Sequence, residues 1–110
     1  MIEKTFFYPR NNFTDLCRFR MQLWEDVWSI EFKTNDLVHI LPGELEGAIR
    51  RAANNNSMIS VKQINEIISD STIPEVMDFY NWFNFELMPN IIRGINQFNM
   101  PVEVVIKDDE

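Results

Sequence analysis

Runs of β-forming or apolar residues, two of them alternating with polar residues, mark the segments that we predict to be strands. Residues 2–8 are rich in β-forming side chains and end in a turn pattern at 9–12, which predicts a first strand. Residues 29–33 alternate and are followed by turn-forming residues and a short apolar run at 37–41, which together predict a β-hairpin. Residues 102–107 also alternate and predict a last strand.

Helical spacing of apolar residues is most evident over residues 14–28. Leu16, Phe19, Leu23 and Val27 recur three or four positions apart, as they would on one face of a helix. We therefore predict a helix over this whole segment.

Further helices are predicted downstream, largely from the residues at their ends. An acidic first turn and the basic pair Arg50 and Arg51 suit the two ends of a helix dipole. Ser60 and Gln63 form a capping-box pattern. Pro74 suits the first position of a helix, and a later proline either kinks that helix or begins another. The predicted helices span residues 44–53, 61–69, 74–88 and 89–98.

The order of these elements, β-α-β-β-α-α-α-α-β, predicts an α+β fold. Helices grouped between strands favour a small, mainly antiparallel sheet of about four strands, with the helices packed on one face. A chain of 110 residues suits one globular domain, which we place at residues 1–107, with an acidic frayed tail at 108–110. Compactness suggests that the first and last strands are neighbours in the sheet.

Composition restricts the environment and the partners that we expect. Lys and Arg number 10 against 17 Asp and Glu, so the net charge of −7 argues against direct binding to nucleic acid or to an anionic membrane. The chain has no apolar run of the ~20 residues that span a bilayer, and its start does not resemble a secretory signal. The single cysteine, Cys17, allows no internal disulfide and fits a reducing, cytoplasmic location.

Residues for catalysis, metal binding or cofactor binding are not apparent. One histidine, His39, and one cysteine are too few for a Cys/His zinc site. Gly43, Gly47 and Gly94 are too dispersed for a phosphate-binding loop. Neighbouring acids such as Glu25 and Asp26 diverge on a helix and do not converge on a cleft. We therefore expect no catalytic residues, no metal and no cofactor, and a protein that is not an enzyme.

Two interpretations stay open for the predicted helix over 14–28. Its apolar arc is about twice as wide as one-sided packing requires and has Arg20 near its middle. In one interpretation the helix packs on two sides and Arg20 meets an internal carboxylate. In the other, Trp24 and Trp28 face a partner, with Glu25 and Asp26 as a charged rim.

A second aromatic excess lies in the predicted helix over 74–88. Its inward stripe leaves Trp82 and Phe85 on the other side, near Asp78. A helix buried on all faces explains this arrangement, and so does a protein-binding or dimer surface with an acidic rim. The inward stripe consists of Val76, Phe79, Tyr80, Phe83 and Leu87.

We expect a protein that binds another protein and inhibits or modulates it by steric occlusion. Its small, acidic and aromatic character resembles that of single-domain inhibitors, immunity proteins and phage-encoded host-modifying proteins. The expected partner has a basic surface, because unlike charges speed encounter. A homo-oligomeric assembly subunit and a nucleic-acid mimic are the alternatives. The candidate binding residues are Arg20, Trp24, Glu25, Asp26, Trp28, Asp78, Trp82 and Phe85.

Overall fold

The computed structural model of the protein describes residues 2–10, 14–25, 27–97 and 103–104. The strands are β1 (Ile2–Tyr8), β2 (Asp15–Trp24), β3 (Val27–Lys33), β4 (Met58–Ser60) and β5 (Glu103–Val104). The α-helices are α1 (Thr34–Ile40), α2 (Glu46–Ala52), α3 (Val61–Ile68), α4 (Pro74–Trp82) and α5 (Met88–Gln97). A short 3-10 helix (Gly43–Leu45) precedes α2, and a π-helical segment (Phe83–Leu87) joins α4 to α5.

The strands form an antiparallel sheet in the order β1-β2-β3-β4, and helices pack on it. This arrangement confirms the predicted α+β class. The short β5 pairs in parallel with β3, at Val27 and Trp28. The prediction that the first and last strands are neighbours is therefore wrong. Of the predicted strand over 102–107 the structure describes only β5, and the predicted tail at 108–110 lies outside the described residues.

The segment predicted as a helix over 14–28 is instead most of a β-hairpin, formed by β2 and β3. Its buried residues alternate along the chain: Cys17, Phe19 and Met21 lie inside, while Arg18 and Arg20 lie on the outer face. This alternation has the period of a strand, and the same residues also have the helical spacing on which the helix prediction rests. Because the sheet buries every second residue, the helix prediction is wrong.

The predicted strand over 37–41 is also wrong, because residues 34–40 form helix α1. Leu37 and Ile40 are buried, and their spacing of three residues places them on one helical face; Leu41, which follows the helix, is also buried. A run of five residues is too short for periodicity to separate a buried strand from a helical turn.

Helix α1 contacts the first part of β2, which does not pair with β3. The pairing of β2 with β3 begins at Phe19 and Phe32. Just before it, the carboxylate of Asp36 in α1 accepts hydrogen bonds from the backbone N–H and the Nε of Arg18, each at 2.9 Å, and from its Nη2 at 2.8 Å. An acidic side chain thus takes the place of a strand partner for the backbone N–H of Arg18.

The downstream helices follow the sequence closely. Residues 46–52, 61–68 and 74–82 are helical, as predicted. The capping box is present: the N–H of Gln63 donates to Ser60 Oγ at 3.2 Å, and the N–H of Ser60 donates to Gln63 Oε1 at 3.0 Å. Pro74 occupies the start of α4, as expected. The three-residue strand β4 was not predicted.

The hydrophobic core lies between the inner face of the sheet and the helical layer. Phe32 of β3 contacts Phe83 of the π segment, with ring centroids 5.0 Å apart. Tyr8 at the end of β1 contacts Phe79 of α4 at 5.5 Å. The stretch from α4 to α5 therefore crosses the inner face at the end of β1, and this crossing positions the candidate site.

Candidate functional site

Two adjoining depressions lie where the end of β1 meets the π-helical segment. Their volumes are about 510 and about 470 Å³, and both are bounded by Trp82 and Phe85, which stand between them. We call these two residues the aromatic ridge. The first depression is also bounded by Tyr8, Asp78 and Asn81, and the second by Phe7, Pro89, Asn90 and Arg93, with Pro9 and Glu86 shared.

The change of helical geometry after Trp82 places the ridge on the surface. Phe83 and Leu87 are buried at the two ends of the π segment, while Phe85 between them is 68% exposed. Asn84 anchors this turn, because its Nδ2 donates to the carbonyl oxygen of Tyr80 at 3.1 Å and to Asn65 Oδ1 in α3 at 2.9 Å. A single π turn within a longer helix is frequently found at functional sites.

The two ridge residues differ in how firmly they are held. Trp82 is half-buried, and its ring lies 5.0 Å from that of Tyr8 and 5.8 Å from that of Phe79. Phe85 is exposed, and its edge contact with Tyr80 spans 6.4 Å between centroids. Trp82 is thus a fixed wall of both depressions, and Phe85 is the side chain with apolar area left to bury.

Negative charge surrounds the first depression. Asp78 and Glu86 both line it, and both are exposed. Burial raises the pKa of the Tyr8 phenol, and the charge of Asp78 raises it further. The second depression adds Arg93 to Glu86, so the ridge separates an acidic side from a mixed one.

The other predicted binding residues lie elsewhere. Trp24 is 69% exposed and ends β2, whereas Tyr8 pairs with Asp15 at the start of β2. The length of β2 therefore separates Trp24 from the ridge by roughly 30 Å. Glu25 follows Trp24 in the hairpin turn and is exposed, and Asp26 lies outside the described residues.

Arg20 lies on the outer face of the sheet, where its Nη2 is 3.0 Å from Glu31 Oε1 of β3. One of the two interpretations paired Arg20 with an internal carboxylate. The observed pair joins two strands and is half-exposed. Arg20 is therefore not part of the ridge.

The assignment of Trp28 to a binding surface is wrong. Its side chain is 3% exposed and lies on the inner face of β3, with Ile30 and Phe32. Within the described residues, its indole Nε1 has no hydrogen-bond partner. The helix prediction had placed Trp24 and Trp28 on one arc, whereas the pairing of Trp24 with Val27 places Trp28 one residue beyond and on the opposite face.

Residues at the end of β1 and just after it complete the site, and none of the predicted binding residues lies there. Phe7 is 47% exposed and Pro9 lines both depressions. The sequence contained one usable signal. Phe6 and Phe7 are adjacent in a predicted strand, so their side chains point to opposite faces and one of them leaves the core.

The one cysteine and the one histidine of the chain lie in different environments. Cys17 is fully buried, and burial raises the pKa of its thiol, with a further contribution from Asp36. His39 is exposed, and its Nε2 lies 3.3 Å from Asp15 Oδ1. Among the described residues, no group of three or more His, Cys, Asp or Glu is placed to hold a metal ion.

Comparison of the chain with protein-family models, with curated proteins and with solved structures gave no match. In the described part of the chain, no helix has the length and apolar character needed to cross a membrane.

Proposed function

We propose that the protein is a non-enzymatic binder that docks on another protein through the aromatic ridge and occludes the surface that it covers. The observation that carries this proposal is the exposure of Phe85, at 68%, beside the fixed indole of Trp82. An exposed ring next to concave apolar surface is a typical anchor of protein interfaces.

The energetics favour such a role for Phe85. Burying a phenylalanine side chain from water contributes about 1.5–3 kcal/mol, and this contribution is unused in the free protein. Trp82 is already held by Tyr8 and Phe79, so little side-chain entropy is lost when a partner packs against it. One exposed ring beside one packed ring supports an interface with few dominant residues.

The charges around the ridge support a partner with a basic surface. Asp78 and Glu86 have no ion-pair partner among the described side chains. Together with the net charge of −7, they attract positive groups during encounter and disfavour acidic ones.

The first prediction tests the ridge directly. The wild-type chain is used to capture a partner from an extract of its native host, and the partner is identified, purified and titrated by calorimetry. We expect Phe85→Ala to weaken binding by about tenfold to a hundredfold, because the ring is buried only in the complex.

Trp24→Ala is the matched control, because Trp24 is also exposed, at 69%, but lies at the far end of β2. This variant is expected to bind within about twofold of the wild type. Equal affinity of wild type and folded Phe85→Ala contradicts the proposal, and a selective loss with Trp24→Ala moves the binding surface to the hairpin tip.

A further inference from the structure

The outer edge of β1 is a free strand edge in the described part of the chain. β1 ends the sheet order, and all seven of its residues pair with β2 without a bulge. The strand contains no proline, and its two charged residues, Glu3 and Lys4, are adjacent at its beginning, which leaves the residues from Thr5 to Tyr8 without a charge. Natural proteins protect such edges with prolines, bulges or several charges, because the unpaired N–H and C=O groups are a template for another strand.

A groove lies beneath this edge. A third depression of about 180 Å³ adjoins the second one at Asn90. It passes under β1 between Lys4 and Phe6 on one side and Ile91 and Gly94 of α5 on the other. The three depressions thus follow β1 from Tyr8 back to Lys4, with the helical stretch from Asp78 to Gly94 as the opposite wall.

A free edge strand beside a helix is the geometry that proteins use for strand addition. In this mode the main chain of an extended peptide pairs with the edge, and every second side chain enters the groove between strand and helix. The span from Lys4 to Tyr8 is about 15 Å. It therefore accommodates about five residues of such a peptide, two or three of which face the groove.

We propose that β1 accepts an extended segment of the partner protein as an additional strand, and that the side chains of this segment pack against the aromatic ridge. The segment has apolar residues at alternate positions and a basic residue at the end that meets Asp78 and Glu86. This inference rests on the proposed function and specifies the part of the partner that is bound.

The charges along β1 favour opposite charges at the two ends of the segment. The acidic side chains Asp78 and Glu86 are near the end of β1 at Tyr8, and Lys4 is near its beginning. Arg93 lines the depression between them, where it donates a hydrogen bond to Asn90. A basic residue of the segment is therefore favoured near Tyr8, and an acidic one near Lys4.

The probe is a displayed library of random linear peptides of about ten residues, long enough to follow β1 at ~3.3 Å per residue. Peptides selected on the full-length chain are synthesised, and the tightest is remade with a single N-methyl group at each position in turn. We expect N-methylation to weaken binding by about tenfold or more at alternate positions and to be tolerated between them, because only every second peptide N–H faces β1.

Amide hydrogen exchange of the chain supplies an independent readout. On peptide binding, we expect alternate amides of Ile2–Tyr8 to become protected by about tenfold or more, since the remaining amides already face β2. Phe85→Ala is expected to lower the affinity for the peptide, as it is expected to lower the affinity for the captured partner. Selected peptides are expected to alternate in polarity and to carry Lys or Arg towards one end.

Three outcomes overturn the inference: the library yields no binder, N-methylation shows no period of two, or the β1 amides gain no protection. Each leaves the proposed function standing if the captured partner still loses affinity with Phe85→Ala. If the captured partner is insensitive to Phe85→Ala, the proposed function fails. If the peptide protects β1 but its affinity is also unchanged by Phe85→Ala, the inference is overturned as well, because the segment then does not pack against the ridge.

Discussion

At the scale of single residues, the faces of the strands decide which aromatic rings are available to a partner. Phe6 and Phe7 are neighbours in β1, yet Phe6 packs against Phe19 with ring centroids 5.7 Å apart, while Phe7 is 47% exposed. Trp24 and Trp28 divide in the same way, one exposed and one buried. An excess of aromatic residues therefore indicates that some of them are exposed, and only the fold identifies which ones.

Asp36 is the residue for which we expect the largest effect of a single polar substitution. It is buried, and it accepts a backbone hydrogen bond and two side-chain hydrogen bonds from Arg18. Asp36→Asn removes the charge and replaces one acceptor oxygen with a donor, so we expect a loss of about 1–3 kcal/mol in the free energy of unfolding. Urea denaturation measures this loss.

The control is Glu46→Gln, because Glu46 pairs with Arg50 at 3.0 Å on the surface of α2. An exposed pair of this kind contributes little, so the control is expected to change stability by less than about 0.5 kcal/mol. Equal effects of the two substitutions would show that Asp36 does not hold α1 against β2.

Alkaline pH is expected to destabilise the protein through Cys17 and then Tyr8. Burial raises the pKa of both groups in the folded state, so that state holds their protons more tightly than the unfolded chain does. Stability is therefore complete below the ordinary thiol pKa of 9.0 and falls as the pH rises above it. Urea denaturation at a series of pH values above neutrality measures this dependence.

Cys17→Ala separates the two contributions. The variant is less stable at neutral pH, because it leaves a small cavity, but its stability begins to fall only near the ordinary tyrosine pKa of 10.0. A variant with the same pH dependence as the wild type would exclude the thiol as the cause.

At the scale of elements, turn chemistry explains why residues 14–28 are predicted as a helix although they form most of a hairpin. Trp24 pairs with Val27, so the hairpin has a two-residue connection that begins at Glu25. Such loops usually contain Gly or Asn, because their first residue needs a positive φ. Glu25 has φ 49° without being either, so the sequence contains no turn signal there. Without a turn signal, the helical spacing of residues 14–28 favours a continuous helix over a hairpin.

Glu25→Gly is expected to stabilise the hairpin. The left-handed backbone at Glu25 costs a non-glycine residue about 1–2 kcal/mol, and the greater flexibility of glycine in the unfolded chain offsets part of the gain. We therefore expect the free energy of unfolding to rise by about 0.5–1 kcal/mol. Glu25→Val is the matched control and is expected to lower it, since a β-branched residue tolerates this φ poorly. An opposite order of the two variants would contradict this account of the turn.

At the scale of the whole molecule, negative charge is expected to act on the rate of association. With a net charge of −7 and a basic partner, the association rate constant falls about tenfold between roughly 50 and 500 mM salt, while the dissociation rate constant changes little. Stopped-flow mixing of the chain with its captured partner measures both rates.

The variant Asp78→Asn with Glu86→Gln tests whether the charges beside the ridge are responsible. It is expected to associate more slowly at low salt than Glu44→Gln with Asp70→Asn, which removes two exposed charges that do not line the depressions. An association rate constant that does not depend on salt argues against a basic partner.

Sedimentation of the protein alone addresses the alternative of a homo-oligomer, which predicts a stable oligomer without any partner.

The sequence by itself determined the fold class, the helices of the second half and the surplus of aromatic residues. Those inferences rest on local signals, such as the capping box at Ser60 and the proline at the start of α4, whose physics acts within one turn. Tertiary structure decided the rest. Pairing with β1 and β3 selected the strand period of β2 over its helical one, because it satisfies the backbone and buries Cys17, Phe19 and Met21 together. The crossing of the π segment over the end of β1 then placed Trp82 and Phe85 beside a strand edge far away in sequence, which no local pattern encodes.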